Sequence, residues 1–162
     1  MKEPKSVLDL LSSRLLRLSN TLALYSGRRY RDQFGVTLPE WRVISIIAVH
    51  GDTTARDISR VLATDKGWVG LSVDSLRHRG LVEGSPDDRD SRKIRLTLTE
   101  EGRELHGLIA PVARQRQRRL LAALPKDTAD TLMACLDRLQ IEADRMLEEL
   151  DGSRADRPAS RK

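Results

Sequence analysis

The 162-residue sequence is poor in aromatic residues, cysteine and long apolar runs. Phe, Trp and Tyr make up 3% of it, so the core must be aliphatic, which favours helices. The single cysteine, Cys135, cannot form an internal disulfide, which agrees with a reducing cytoplasm. Arg14 and Arg17 interrupt the apolar N-terminal segment, and no run approaches the ~20 apolar residues of a membrane helix. These absences predict a cytoplasmic protein with no signal peptide and no membrane partner.

Catalytic and metal-binding patterns are lacking as well. His50, His78 and His106 are far apart in the sequence and have no metal-ligand spacing. The sequence contains no Ser/His/Asp order, no phosphate-binding glycine loop and no paired carboxylates in an apolar segment. We therefore expect a protein that is not an enzyme and needs neither a metal nor a cofactor.

Positive charge is what the sequence has in excess. Its 29 Lys and Arg residues outnumber 24 Asp and Glu residues, and the net charge of +5 is spread over several segments. Such a balance favours a polyanionic partner, with nucleic acid first and a membrane surface second, although a basic composition can also serve solubility alone. The length favours one domain, or one domain with dimerisation arms.

Apolar residues at alternating steps of three and four predict an amphipathic helix near each end of the chain. The N-terminal helix, within residues 6–35, carries Leu8, Leu11, Leu15, Leu18, Leu22 and Tyr25, and it ends at Gly35. The last helix carries Leu132, Leu136, Leu139, Ala143, Met146 and Leu150, with Cys135 as a buried small residue, and it ends at Asp151-Gly152. Neither seam belongs to a compact core, so we expect a homodimer. The tail 152–162 is predicted to be disordered.

Between these helices, residues 36–98 predict three compact helices and a hairpin. Thr37 and Glu40 form a capping box for the first helix, and Thr54 caps the second, in which Ile58, Val61 and Leu62 face inward. The third helix, in "DKGWVGLSVDSLRH", buries Val69, Val73 and Leu76.

Two short strand-like runs, "LVEG" and "KIRLTL", then flank the charged stretch "PDDRDSRK" and predict a β-hairpin. Thr99 caps a further helix that contains Pro111 and ends before Pro125, so residues 99–151 form C-terminal dimerisation helices. The predicted fold is mainly α with a small β-hairpin (α+β): a winged helix-turn-helix lobe within a single protomer, 1–162. In this order the third compact helix enters the major groove.

Four stretches, "LPEWRVISII", "TARDISRVLATDKGWV", "SLRHRGLVE" and "DDRDSRKIRLTLTEEG", resemble the MarR family of bacterial transcriptional regulators. Most specific is Asp-x-Arg-Asp-x-Arg at 87–92, followed by Leu-Thr-x-x-Gly at 98–102. The resemblance implies a dimer with interlocked terminal helices. It further implies a repressor that leaves DNA when a small, often aromatic, anion binds between the dimer helices and the lobe.

The resemblance also implies roles in the hairpin, or wing. Arg89 enters the minor groove, and Arg92 pairs with Asp88 or Asp90, which brace the tip; both arginines count as DNA-binding residues. A guanidinium suits the narrow, negative minor groove, whereas unpaired acids at the tip would repel phosphate. The alternative is a solvated hairpin with weak surface ion pairs.

The recognition helix departs from the family pattern, which commonly has Ser or Thr and then Arg where this chain has Gly70 and Leu71. The bidentate contact to guanine is therefore missing. We expect close backbone approach instead, with Leu71 on a thymine methyl group; the alternative is a helix that reads little sequence. The other predicted DNA contacts are Lys66, Trp68 and Ser72 on this helix and Thr53, Thr54 and Arg56 before and in the preceding one.

Three residues are candidates for an effector site. An arginine of the first helix, Arg14 or Arg17, can pair with a ligand carboxylate in relatives that respond to aromatic acids, although both suit a solvated face. Trp41 suits the core or a ligand pocket. The functional hypothesis is a ligand-responsive, homodimeric repressor of a palindromic site. The alternative is a winged-helix interaction or ligand-binding module without sequence-specific DNA recognition.

Overall fold

The computed structural model describes residues 6–87, 90, 92–125 and 127–155. Residues 153–155 are described by their backbone alone. It contains two compact units, 1–112 and 113–162. The predicted fold class is confirmed: helices predominate, and the two strands form one antiparallel hairpin. The elements are α1 (Leu11–Phe34), α2 (Leu38–His50), α3 (Ala55–Val61), α4 (Lys66–His78), β1 (Val82–Pro86), β2 (Ile94–Leu98), α5 (Glu100–Leu121) and α6 (Thr128–Ala155).

Helix α1 begins three residues later than its leucine pattern predicts, because a short 3-10 helix, Val7–Asp9, precedes it. It ends as predicted at Gly35, whose φ of 63° is the left-handed conformation that glycine adopts without strain. Ser26 and Tyr30, near its C-terminal end, are buried. The predicted leucine seam is largely exposed, and Leu11 and Leu18 are about half accessible.

Helix α2 is the centre of the first unit. The predicted capping box is present: the Glu40 amide donates to the Thr37 hydroxyl, and the Glu40 carboxylate accepts from the Thr37 amide. Val43 and Ile44 are completely buried, because helices α1, α3 and α4 and strand β2 pack around α2 or approach it closely. The helix ends at Gly51, as predicted.

Helices α3 and α4 form the helix-turn-helix. Thr54 caps α3 and Ile58 is buried, as predicted, but Val61 is 56% exposed. The prediction for Val61 was wrong because the inward direction of this seven-residue helix lies between Ile58 and Ser59. The predicted stripe of α4, Val69, Val73 and Leu76, is buried.

The hairpin pairs Val82 with Leu98 and Gly84 with Leu96, so its apolar residues share one face. Thr53 adds a bridge to this sheet, since its backbone amide and carbonyl both bond to Leu96. Thr99 caps α5 as predicted by accepting from the Gly102 amide.

The second unit contains the end of α5 and α6. Helix α6 continues through Gly152 to Ala155, so the predicted end at Asp151-Gly152 was wrong; a glycine inside a helix costs only about 1 kcal/mol and does not force a stop. Cys135 is exposed, contrary to the prediction of burial, because no described residue of the second unit covers that face of α6. Most of the predicted tail lies outside the described residues.

Candidate nucleic-acid interface

Helix α4 is fixed at both ends. Asp65 caps its N-terminus by accepting from the amides of Gly67 (2.7 Å) and Trp68 (3.4 Å), a cap that the sequence analysis did not identify. The buried stripe holds one side of the helix against the lobe. The opposite side faces solvent as a consequence.

The buried residue Glu40 holds the C-terminal end of α4 in place. It is 5% exposed, and its carboxylate accepts from Ser75 Oγ at 2.7 Å and from Arg79 Nη1 at 3.1 Å, as well as from both the amide and the hydroxyl of Thr37. These bonds tie the start of α2 to the C-terminal end of α4. Sequence reasoning recognised only the capping half of this role, since Ser75 and Arg79 lie 35 and 39 residues away.

The pKa of Glu40 is lowered. Burial by itself raises the pKa, but the hydrogen bonds from Thr37 and Ser75 and the charge of Arg79 together outweigh that effect. Glu40 is therefore ionised at neutral pH and acts as a charged anchor for α4.

The side of α4 opposite the buried stripe carries Gly67, Gly70, Leu71 and Asp74, which we call the outer face, and Lys66, Arg77 and His78 are exposed at the two ends of the helix. Leu71 is 75% exposed. A methyl group placed on Gly70 would have no atom within 4 Å. Of the predicted contacts, Lys66 and Leu71 are exposed, and Gly70 and Trp68 are half-buried.

Two of the predicted DNA contacts, Ser72 and Thr53, are buried. Ser72 is 6% exposed and donates its hydroxyl to the Trp68 carbonyl, because it lies among the buried positions of α4. Thr53 is 5% exposed, and its bridge to Leu96 uses both of its backbone hydrogen-bonding groups. Both predictions were wrong, since neither side chain is available to a ligand at the surface.

At the start of α3, Thr54 and Arg56 differ in availability. The Thr54 hydroxyl donates to Asp57 Oδ2 at 2.6 Å, and this hydrogen bond is the main cause of the lowered pKa of Asp57. Arg56 is exposed. Both stay predicted phosphate contacts, and Arg56 is the one whose side chain points to solvent.

The base of the wing is anchored by Arg95, a residue that the sequence analysis did not single out. Its Nε lies 2.8 Å from Asp52 Oδ1, its Nη2 donates to the Asp52 carbonyl at 3.0 Å, and Asp87 Oδ2 is 3.6 Å away. The hydrogen bond to Asp52 raises the pKa of Arg95. The alternation of "KIRLTL" correctly marks Arg95 as a polar position but contains no signal for its partner across the lobe.

At the wing tip, Arg92 Nε lies 3.3 Å from Asp90 Oδ1, so Arg92 contacts one of the two partners that the motif offered. The Asp90 amide in turn donates to Asp87 Oδ1 at 3.1 Å. The Arg92 side chain is 92% exposed. Arg89 and Asp88 lie outside the described residues.

A groove runs between α3 and the wing, and cationic side chains dominate its lining. Arg60 pairs with Asp57, and Arg95 with Asp52 and Asp87, so these two cations are largely neutralised. Arg92 and Lys93 both lie close to Asp90, with N–O distances of 3.3 and 3.7 Å. The lining nevertheless has more cations than acids, since Arg56, Arg60, Arg92, Lys93 and Arg95 face only Asp57 and Asp87. This positive surplus suits an anionic backbone.

Trp41 lies in an aromatic cluster rather than at an open surface. It is 8% exposed, and its ring centroid is 5.7 Å from that of Tyr30 and 5.4 Å from that of His106, on which it stacks. The structure thus favours the core alternative over a ligand-binding role for Trp41. Arg14 and Arg17 are exposed, and Arg14 Nη2 lies 3.6 Å from Asp9 Oδ1.

Two kinds of feature are absent from the described residues. Their His, Cys, Asp and Glu side chains form no group of three or more that is arranged to hold a metal ion. None of the helices in this part of the chain has the length and apolar character needed to cross a membrane.

Known proteins resemble this chain in sequence and in structure. A family model described as "MarR family" matches residues 34–93, from the end of α1 into the wing. A MarR/EmrR family transcriptional regulator from Acinetobacter sp. ADP1 has a solved structure that is 30% identical. Its TM-score is 0.77, and the match covers 83% of this chain and 94% of that one. The chain belongs to the MarR family. The members of this family are transcriptional regulators rather than enzymes.

Two further proteins are similar to this MarR-family chain. The "HTH-type transcriptional repressor NicR" of Pseudomonas putida is 36% identical over 66 residues, which are 41% of this chain and 42% of NicR. The chain thus matches less than half the length of that curated relative. The solved structure of Bordetella bronchiseptica BpsR, whose DNA binding is regulated by 6-hydroxynicotinic acid, is 22% identical. Its TM-score is 0.70, over 81% of this chain and 99% of that one.

Proposed function

We propose that this MarR-family protein is a cytoplasmic, homodimeric repressor that binds a palindromic operator and releases it when a small effector, such as an aromatic acid, binds. The observation that carries this proposal is a groove between α3 and the wing with surplus positive charge, in the same compact unit as helix α4, whose Leu71 is exposed. A helix fits the major groove, and a cationic wing fits the neighbouring backbone and minor groove. NicR is named a repressor, which supports the same role here.

Helix α6 supports the homodimer. None of the described side chains of this helix, residues 128–152, is buried, yet a lone helix in water is marginal without an apolar face packed against something. A second copy of the chain supplies a matching face by symmetry, and two-fold symmetry matches a palindromic site. The exposed apolar residues of α6 are Leu132, Met133, Leu139, Ile141, Met146, Leu147 and Leu150.

The proposed response to an effector is a shift of population. A ligand that binds better to one spacing of the two lobes enriches that spacing, and DNA is released when it no longer matches successive major grooves. The control of BpsR by 6-hydroxynicotinic acid is a precedent for a small aromatic acid in this role. Arg14 and Arg17 remain the proposed partners of its carboxylate.

Arg89→Ala tests the proposed role of the wing. We expect about a tenfold or greater loss of affinity for a duplex that the protein selects from a random library, because a guanidinium in the minor groove is removed. The measurement is a binding titration at one fixed salt concentration, with sedimentation to show that the dimer is intact. Arg42→Ala is the matched control, since it removes the same charge from an exposed position on α2. Equal affinity of the Arg89 variant and the control would refute the role.

Asp52→Asn distinguishes a bracing role of Arg95 from direct contact with phosphate. If Arg95 positions the wing, weakening its 2.8 Å contact with Asp52 lowers the affinity for the selected duplex by several-fold, although a negative charge has been lost. If Arg95 binds phosphate directly, freeing it raises the affinity. We expect the decrease, with less than about 1 kcal/mol lost from the free energy of unfolding, since the pair is partly exposed.

One observation favours a second candidate function, an interaction or ligand-binding module without sequence-specific DNA recognition. Gly70 and Leu71 give the outer face of α4 no bidentate donor. Competition decides between the two: a specific repressor prefers its own site over random DNA by ~10³-fold or more at physiological salt. Comparable binding of both DNAs would favour the module.

A further inference from the structure

The outer face of α4 has an unusual chemistry for a helix that contacts DNA. Its four residues, Gly67, Gly70, Leu71 and Asp74, carry no side-chain N–H or O–H group at all. These four residues therefore cannot donate a side-chain hydrogen bond to the N7 and O6 acceptors of guanine or to the N7 acceptor of adenine. Lys66, Arg77 and His78 are exposed donors of α4, and they lie at the two ends of the helix. The one large side chain of the outer face is apolar.

Leu71 is 75% exposed, although a leucine is usually buried. It is the sixth residue of α4, in the N-terminal half of the helix, which is the half that reaches base edges in a helix-turn-helix. Gly67, one turn before it, and Gly70, beside it, have no side chains. Since a methyl group on Gly70 would meet nothing within 4 Å, the surface around Leu71 is open to a flat partner.

The major groove contains one apolar group that such a side chain can cover, the 5-methyl group of thymine. Every other base edge presents polar atoms there, and covering these with a leucine removes their water without replacing its hydrogen bonds. Asp74, one turn further along the outer face, adds selection against guanine, because a carboxylate meets the O6 and N7 acceptors unfavourably.

We propose that Leu71 determines specificity by packing on the 5-methyl group of one thymine in each half-site. This inference rests on the proposed function, in which α4 lies in the major groove. Contact with one methyl group is worth about fourfold in affinity for each half-site, and about fifteenfold for a symmetrical site with two independent contacts.

Deoxyuridine substitution isolates the methyl group, because uracil keeps the hydrogen-bonding groups of thymine. A palindromic duplex selected by the full-length protein from a random library is remade with each symmetry-related pair of thymines replaced by uracils. We expect that, for one of these pairs, replacing both thymines with uracils weakens binding about fifteenfold. Leu71→Ala should bind the thymine duplex no better than the uracil duplex. Val49→Ala is the control: it shortens another exposed aliphatic side chain, on α2, and should keep the full thymine preference.

The outcomes separate this inference from the proposed function. If the protein enriches no sequence from the library, sequence-specific repression fails, and the inference falls with it. If it enriches a palindrome but every uracil duplex binds equally well, the inference alone is overturned. A thymine preference that persists in Leu71→Ala also overturns it, since another residue would then contact the methyl group. Leu71 is largely exposed, so thermal unfolding of the variant should match that of the wild type.

Discussion

Replacing Glu40 with alanine is expected to lower the free energy of unfolding by about 3 kcal/mol. The change leaves the amide and hydroxyl of Thr37, the Ser75 hydroxyl and the Arg79 guanidinium without their common acceptor. Breaking a buried ion pair costs about 3–5 kcal/mol, and the low end applies because Arg79 is 37% exposed and can regain water. Urea unfolding at one fixed protein concentration measures the loss.

Glu104→Ala, which removes an exposed acid from α5, is the control and should change the free energy of unfolding by less than about 0.5 kcal/mol. A loss at Glu40 no larger than that of the control would contradict the anchoring role. Because Glu40 ties α4 to α2, the variant should also bind DNA more weakly at temperatures where it is still folded.

The pH dependence of the free energy of unfolding provides a second test of the role of Glu40. Its pKa is lower in the folded state than the ordinary value of 4.5, so the stabilisation is complete above that value and is lost as the pH falls through the folded pKa. Glu40→Gln cannot ionise and should show a shallower decline below about pH 4.5. Asp57, whose pKa is also lowered, contributes to both proteins alike. Parallel curves for the two proteins would contradict the assignment.

Gly102→Ala is expected to destabilise the protein by about 2 kcal/mol even though alanine is the better helix former. A methyl group at this position would overlap with the carbonyl oxygen of Leu81 and would touch Leu98. That carbonyl accepts from the Thr99 amide at 3.2 Å, so it cannot move away without loosening the junction between the wing and α5. Overpacking of this kind typically costs about 1–3 kcal/mol.

Gly107→Ala, in the same helix, is the matched control. Nothing lies within 4 Å of a methyl group there, so the substitution should stabilise the protein by up to about 1 kcal/mol through helix propensity alone. Opposite signs for the two variants, measured by urea unfolding, are the expected result. If both variants are stabilised, the close approach of Leu81 is not a constraint in solution.

Local signals explain how much of this fold was predictable. The Thr37–Glu40 box, the cap at Thr54 and the stop at Gly35 each involve residues within four positions of one another, and the sequence predicted all of them. The buried stripe of α4 followed from its 3.6-residue period. Such features can be predicted because their partners are fixed by helix geometry alone.

Tertiary partners explain what the sequence could not predict. Nothing near Arg95 indicates Asp52, and nothing near Glu40 indicates Ser75. Ser72 follows the exposed Leu71 and resembles a DNA contact, yet it lies on the buried side of α4. The family pattern Leu-Thr-x-x-Gly includes a glycine, but the sequence does not show why a glycine is needed there. The carbonyl of Leu81 supplies that reason at Gly102.

The bridge between Thr53 and Leu96 has a consequence for how the lobe assembles. It lies beside the contact of Arg95 with Asp52, which joins residues 43 positions apart and encloses α3, α4 and β1. Closing a loop of that length costs about 3 kcal/mol in chain entropy, which two backbone hydrogen bonds do not recover. We therefore expect the bridge to form after the enclosed helices have packed.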